Sequence, residues 1–503
     1  MDTTPYWMRG VDLPAFPSLA QDIEVDVAIV GGGLTGITAA YLLKRAGASV
    51  ALLERDRCAM GDTGHTTAHL TYVTDARLHH LVKTFGEDGA RAFWEAGAAA
   101  IDQIDEIIRT ENISCDFKWV PGYLHVALKD AAENERELLQ RDAMAANEIG
   151  FSAEYVETVP YANRPGVEFR NQAKFHPRKY LSGLLDRIVG DGGHVFENTP
   201  ATEFTDEPLA VKSGAHTVRC RYIVVATHTP LMGNTGLVSA TLFQTKIMPY
   251  TSYVLGARLP SGAVPEALYW DTGDPYYYLR IEKGADHDYA IFGGEDCKTG
   301  QESDNHAVFG RLESMLKRVL PAAQVQDRWM GQVIETYDGL PLIGETASNQ
   351  FVATGYCGNG FTLGTVAAMM ARDQFTRQKS PWFDLFSVNR KHVRGGAMRY
   401  VRENLDYPYY MVRDRLAKAE TESLDAVKPG EGKIVNLDGK KVAAYRDPQG
   451  QLTLLNPVCT HMKCIVGWND ADGTWDCPCH GSRFRATGEV IGGPAETPLE
   501  SVS

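Results

Sequence analysis

The chain has 503 residues, too many for one hydrophobic core, with the composition of an ordinary globular protein of about two to four domains. Its 64 acidic and 50 basic residues give a net charge of −14, which argues against nucleic acid or an anionic membrane as partner and leaves small molecules and proteins. No stretch is long and apolar enough to span a bilayer, and the opening residues lack the basic start of a signal peptide, so the cytoplasm is the expected location.

Residues 1–23 carry Pro5, Pro14 and Pro17 among Tyr6, Trp7 and Phe16, which reads as an extended surface arm with no chemistry. From Val25 to Glu54 the sequence reads as one βαβ unit. An apolar run leads into the Gly-x-Gly-x-x-Gly turn of Gly31, Gly33 and Gly36. A helix of small residues and a second apolar run then end in Glu54. Gly31 allows the tight turn, Gly33 lets backbone approach a pyrophosphate, and Gly36 lets helix and strand pack closely. Glu54 suits the paired hydroxyls of an adenosine ribose, and the basic Arg55 follows it. No second motif of this kind occurs for NAD(P)H, which favours FAD.

The polar loop from Met60 to Thr71 offers Thr66, Thr67 and His69 to phosphate and ribityl oxygens. His65 or His69 could bond covalently to a flavin, but their spacing favours ordinary polar-loop histidines. Residues 76–112 and 130–150 show helical periodicity, and the stretch between them from Trp119 alternates as a strand. Arg221 to Thr227 reads as a buried strand returning to the nucleotide sheet, with Thr227 at its end. Between Lys246 and Gly294 the chain is strand-rich and aromatic, and alternation puts Tyr276, Tyr278 and Arg280 on one face. As a substrate face, its tyrosines suit an amine cation and Arg280 a carboxylate. As a plain sheet core, the same residues would bury their bodies and expose their tips.

Gly355, Gly358, Asn359, Gly360, Phe361 and Thr362 form a second glycine-rich turn, leading into an apolar helix. With Gly31 to Glu54, this turn resembles the D-amino-acid oxidase and sarcosine oxidase superfamily of flavoproteins over about residues 24–380. The resemblance implies an α/β FAD-binding domain of glutathione-reductase type with an inserted α+β substrate domain. It also implies that the late turn brings backbone amides and a helix N-terminus to the flavin. The implied reaction is hydride transfer from a C–H bond beside nitrogen of an amine or amino acid, giving an imine that water hydrolyses. The expected FAD-binding segments are 24–80, 165–230 and 335–380, the substrate domain 81–164 and 231–334, and the connector 381–420.

Four of nine cysteines fall between Cys459 and Cys479. One Cys-x-His loop, Cys459 and His461, faces one Cys-x-x-His loop, Cys477 and His480, which resembles an all-β Rieske domain over 421–503 and implies a [2Fe-2S] cluster. The resemblance further implies a Cys464–Cys479 disulfide and a covering proline loop at Gly492 to Ala495. Zinc is the alternative for such ligands, but the spacing and the flanking Gly481-Ser482 favour iron. Phe484 stands where a tyrosine would donate a hydrogen bond to a cysteine sulfur, so the expected potential lies below those of respiratory Rieske proteins.

The combined reading is a flavin dehydrogenase whose electrons leave singly through the Rieske cluster to an external acceptor, such as a ferredoxin-like protein. It needs no proton-abstracting residue if the amine arrives neutral. Its rivals are an oxidase that uses oxygen directly, with the Rieske domain as a docking or structural module, and a non-catalytic redox sensor or electron-carrier adaptor. A Rieske oxygenase would need a two-histidine, one-carboxylate iron site, for which no helical pair stands near an acid.

Overall fold

A computed structural model describes residues 3–231, 245–390 and 397–502 of the chain. Residues 232–244 of the expected substrate domain and 391–396 of the expected connector lie outside the described residues.

The strand Val27–Val30 is apolar and wholly buried, as a central parallel strand must be with both faces covered. It pairs in parallel with Val50–Leu53 on one side and Tyr222–Val225 on the other. Gly193–Phe196 and Gln350–Thr354 extend this sheet in parallel, and Leu342–Ala347 closes one edge antiparallel. The helices Leu34–Arg45 and Gly360–Phe375 pack on each other beside it. They cross so closely that a Cβ on Gly364 would lie 2.7 Å from Thr35 Oγ1.

A nine-stranded sheet forms the second layer, with Gln324–Thr336, Ile247–Leu259, Asp288–Lys298 and Tyr278–Glu282 adjacent in that order. Lys118–His125 and Gly166–Lys174 continue it. The last of these and His69–Leu70 lie inside segments expected in the nucleotide domain, yet both pair in this large sheet. The helical stretch expected at 76–112 is observed as Leu78–Glu111, broken at Gly86, whose φ of 76° no continuous helix allows.

The N-terminal arm runs largely exposed but is pinned by buried Pro5, Trp7, Leu13 and Leu19. Trp7 is 1 % exposed, donates from Nε1 to the Thr66 carbonyl at 2.7 Å, and lies under the guanidinium of Arg280, 4.8 Å from its ring centre. An indole has a large apolar body to bury, and its N–H finds the partner such burial requires.

The C-terminal region is all β. A three-stranded meander, Glu431–Leu437, Lys440–Arg446 and Leu452–Leu455, stands beside a four-stranded sheet, Gly467–Asn469, Thr474–Asp476, Arg483–Arg485 and Val490–Gly492. Two connector helices, Ala397–Asn404 and Asp406–Leu416, join the regions. No described helix is long and apolar enough to cross a membrane.

Candidate functional site

The first glycine turn is fixed by contacts that leave no room for side chains. Gly31 has φ +107°, and a Cβ there would meet the Ala226 carbonyl oxygen at 2.5 Å. On Gly36 it would lie 1.9 Å from the Gly31 oxygen. Gly33 caps the helix Leu34–Arg45. Thr63 Oγ1, which the sequence reading did not single out, accepts from Leu34 N at 3.1 Å. The Glu54 carboxylate accepts from Gly32 N at 2.6 Å and Asp56 N at 2.8 Å. A carboxylate has about four lone-pair positions, so two remain for ribose hydroxyls.

Arg55 is placed differently from a cofactor ligand. Its guanidinium donates to the Ile491 carbonyl in the C-terminal domain. Thr66 Oγ1 accepts from Ala68 N at 2.9 Å, and Thr67 Oγ1 lies 3.3 Å from His69 Nδ1. Burial and then the charge of Arg280 push the His69 imidazole down to about 3, and its Nε2 is buried without a hydrogen-bond partner. Thr227 Oγ1 donates to the Thr229 carbonyl at 2.9 Å.

The second turn is brought to the first across 321 residues of sequence by a 3.0 Å hydrogen bond between Tyr356 OH and Thr35 Oγ1. Gly355 and Gly358 have φ of +74° and +78°. Asn359 caps the helix Gly360–Phe375, Phe361 packs edge-on against Phe175, and Thr362 Oγ1 is buried with no partner. A Cβ on Gly358 would lie 2.6 Å from Asp75 Oδ2 and 3.0 Å from Tyr276 OH. Asp75 and Tyr276 therefore meet at the mouth of this turn, where Tyr276 OH donates to Asp75 at 3.2 Å.

Asp75 belongs to a carboxyl cluster that sequence reasoning missed, because its members come from distant segments. Burial first, then the negative charge of Glu335, raises Asp75 to about 8. Asp296 rises to about 7, again by burial and then Glu335. Glu335 is itself raised by burial, with Arg399 opposing. Asp75 is nonetheless exposed to solvent, which screens both effects and leaves its desolvation partial.

The expected substrate face divides. Tyr276 and Tyr278 stand together, ring centres 5.7 Å apart, with Tyr278 OH on Ser252 Oγ at 2.8 Å. Arg280 is fully buried, and its guanidinium is committed elsewhere. It donates to Glu282 at 2.5 Å, to the Thr67 and Ala68 carbonyls, and to the Phe175 carbonyl at 2.6 Å. Alternation gave its face correctly but could not show these carbonyls, so Arg280 stands as a clamp on the His69 loop instead of a carboxylate receptor.

In the C-terminal domain two loops close on themselves. Cys459 N donates to the Cys464 carbonyl and Cys477 N to the Ser482 carbonyl, each at 2.8 Å. A Cys464–Cys479 disulfide joins them. The sulfurs of Cys464, Cys477 and Cys479 lie within 4.8 Å of one another, but the disulfide leaves Cys459 and Cys477 as the free pair. The His461 and His480 rings are 4.9 Å apart. Burial pushes them down to about 4 and about 3, leaving neutral imidazoles with a lone pair for metal. The proline loop closes over this site, with Ala495 N donating to Ser482 Oγ at 3.1 Å.

A family model for FAD dependent oxidoreductases matches residues 26–374, and one for the Rieske [2Fe-2S] domain matches residues 418–503. The chain belongs to the FAD dependent oxidoreductase family and carries a C-terminal Rieske domain. This oxidoreductase is 33 % identical over 504 residues to YhfW of Bacillus subtilis (strain 168), named as a Rieske 2Fe-2S iron-sulfur protein, covering 99 % of this chain and 97 % of that one. It is 26 % identical over 432 residues to the gamma-glutamylputrescine oxidoreductase of Escherichia coli (strain K12), covering 82 % and 99 %. Its fold matches glycine oxidase from Geobacillus kaustophilus with a TM-score of 0.59 at 17 % identity, over 73 % of this chain and 99 % of that one.

The family binds FAD and the Rieske domain a [2Fe-2S] cluster, and the residues present fit both. Two glycine cradles that a Cβ would fill, the open lone pairs of Glu54 and the orphaned Thr362 hydroxyl suit FAD. Two buried free cysteines and an unpartnered His480 Nδ1 suit the cluster. Gln332 connects the two regions. Its backbone N–H donates to Asp62 Oδ1 at 2.8 Å beside the first glycine turn, and its side chain donates to the Gly481 carbonyl at 2.9 Å.

Proposed function

We propose that this oxidoreductase removes a hydride from the carbon beside nitrogen in an amine or amino-acid-like substrate, and that its electrons leave one at a time through the Rieske cluster to an external acceptor. The observation that carries this reading is the cluster of carboxyls Asp75, Asp296 and Glu335, of which Asp75 stands at the second glycine turn against Tyr276, next to Tyr278. Carboxyls and aromatic faces together suit a cationic amine. The name of the E. coli relative points the same way.

FAD, when bound, supplies a two-electron acceptor for the hydride, and the cluster a one-electron outlet. Gly31, Gly33, Gly36, Glu54, Thr63 and Thr362 would hold FAD, and Cys459, His461, Cys477 and His480 would hold the iron. In its carboxylate form Asp75 accepts the ammonium proton of the substrate, leaving the neutral amine from which hydride can depart. Its raised pKa matches that exchange. Tyr276 orients Asp75 through its hydroxyl, and Arg280 positions the loop of Thr67 and His69. No further base is required.

An anaerobic panel of amines, N-methyl amino acids and betaines, followed by flavin absorbance, tests this. Bleaching by an amine supports the reading, and a panel that leaves the flavin oxidised sinks it. Mixing the reduced protein with oxygen in stopped flow separates a dehydrogenase, which reoxidises slowly, from an oxygen-using oxidase.

A further inference from the structure

The connector has two unlike faces. Its helices Ala397–Asn404 and Asp406–Leu416 are separated only by Leu405, which keeps helical dihedrals (φ −70°, ψ −23°). On the inner side Glu403 and Asp406 both pair with Lys298, at 2.8 and 2.6 Å. There the Tyr407 ring lies 4.2 Å from that of His480.

On the outer side stand Val401, Leu405, Tyr409, Val412 and Leu416. Steps of four, four, three and four residues put these on one helical stripe. They are 57, 65, 59, 58 and 80 % exposed, Tyr409 being partly shielded by the Arg413 guanidinium 5.6 Å from its ring centre and by Tyr410. Large apolar side chains gathered on one exposed stripe mark an interaction surface.

Charge is segregated in the same way. Between Val401 and Lys418 every exposed charged residue is a cation, Arg402, Arg413, Arg415 and Lys418, with Arg413 paired to Asp414; Arg399 before them turns inward to Glu335, and exposed acids resume at Glu420. The acids of this stretch, Glu403, Asp406 and Asp414, are buried or half-buried. In a chain of net charge −14 this is a local basic surface.

We infer that the outer face of the connector docks an acidic one-electron carrier protein, with Tyr407 and His480 between that carrier and the cluster. This rests on the proposed outlet role of the cluster. A helix is about 10–12 Å across, so a carrier seated on the outer stripe comes near the ligand that the inner side covers. Five side chains are too few for an obligate subunit interface but suit a brief redox encounter, and the cations steer an acidic partner. A symmetric second copy would set this basic face against itself.

The test uses holoprotein reduced with dithionite, freed of excess, and mixed in stopped flow with two oxidised carriers of opposite surface charge. One is plastocyanin, an acidic copper protein, and the other a basic c-type cytochrome. The plastocyanin rate constant should fall about tenfold or more between about 0.05 and 0.5 M salt. It should also fall about tenfold in the triple variant Leu405→Ser, Val412→Ser, Leu416→Ser. Oxidation of that variant by ferricyanide and its cluster spectrum should not change, and the basic carrier should show neither effect. If the triple variant does not fold, the single Leu405→Ser and Leu416→Ser variants carry the same comparison.

Equal plastocyanin rates in wild type and variant would overturn the docking face, as would a salt-insensitive rate. Co-sedimentation with phosphatidylserine vesicles that the variant abolishes, with its plastocyanin rate unmoved, would assign the stripe to lipid and overturn it equally. Because reduction here is chemical, failure of the amine panel leaves this result untouched. A cluster-free Cys459→Ser protein that reduces plastocyanin at the wild-type rate would instead sink the outlet reading.

Discussion

Removing the guanidinium of Arg280 would strand three carbonyl oxygens and part of a carboxylate in the interior. We expect Arg280→Ala to lower stability by about 3 kcal/mol, the low end for breaking a buried pair, because Glu282 keeps Lys174 as a partner at 2.9 Å. Denaturant unfolding measures this. A variant of unchanged stability whose only defect is a raised substrate KM would show that Arg280 meets substrate after all.

Asp75 gives a pH dependence of known sign. Its folded pKa is raised to about 8, above the ordinary carboxylate value, so the native state holds a proton that the unfolded chain has released. Stability is therefore fullest below the unfolded value and declines as pH rises through about 8. Partial solvent access keeps the effect modest. Asp75→Asn should flatten that decline in melting temperature between pH 6 and pH 9 and remove the rise in kcat/KM as Asp75 deprotonates. A wild-type profile flat across pH 8 would contradict the assignment.

Phe484 is fully buried in the same core as Cys459, Cys464, Cys477 and Cys479. A hydroxyl there that reached a ligand sulfur would favour the reduced cluster. One net hydrogen bond of roughly 0.5 to 1.5 kcal/mol corresponds to a rise of roughly 20 to 60 mV in midpoint potential for Phe484→Tyr. Voltammetry of the holoprotein reads it, and an unchanged midpoint with an intact cluster spectrum would mean that the new hydroxyl reaches no sulfur.

Among the elements, the turn between Val27–Val30 and Leu34–Arg45 has no room for a side chain. A methyl on Gly36 would overlap the Gly31 carbonyl, and backbone cannot step aside there. Gly36→Ala should purify without the yellow of bound flavin while the Rieske absorption remains, and a fully flavinated variant would refute this. The turn was legible in the sequence because its requirements are local, as were the Cys-x-His and Cys-x-x-His loops. The carboxyl cluster was not, because Asp75, Asp296 and Glu335 converge only when the nine-stranded sheet has formed. The role of Arg280 was half legible: a period of two shows a side chain's face, but its backbone partners leave no trace in residue type.

For the whole molecule, the union of the two redox regions is made at its rim by Arg55 on the Ile491 carbonyl and by Arg485 beside Asp56, and nearer the cluster by a few polar contacts. Gln332 holds Gly481, Gln301 Nε2 donates to the Pro478 carbonyl at 3.0 Å, and a Cβ on Gly300 would strike Cys477 at 2.7 Å. Gln332→Ala removes one clasp without filling space. We expect slower cluster reduction after substrate has reduced the flavin, by up to about tenfold, the rate factor of about 1.4 kcal/mol of lost docking, with both spectra intact. Rapid-mixing traces at flavin and cluster wavelengths measure it, and an unchanged internal rate would place the electron route elsewhere.

The buried Trp7 carries a consequence for synthesis. Trp7 waits for Arg280, Tyr6 stacks on Tyr289 with ring centres 4.4 Å apart, and Arg9 pairs with Asp327. At about 5–20 residues per second a ribosome needs on the order of 15 to 60 s to make the intervening chain. Through that interval Trp7 lacks its seat and exposes an indole that the finished fold hides. This segment thus locks only after Arg280 has emerged, and a chain stalled before Arg280 would present Trp7 to chaperones and proteases.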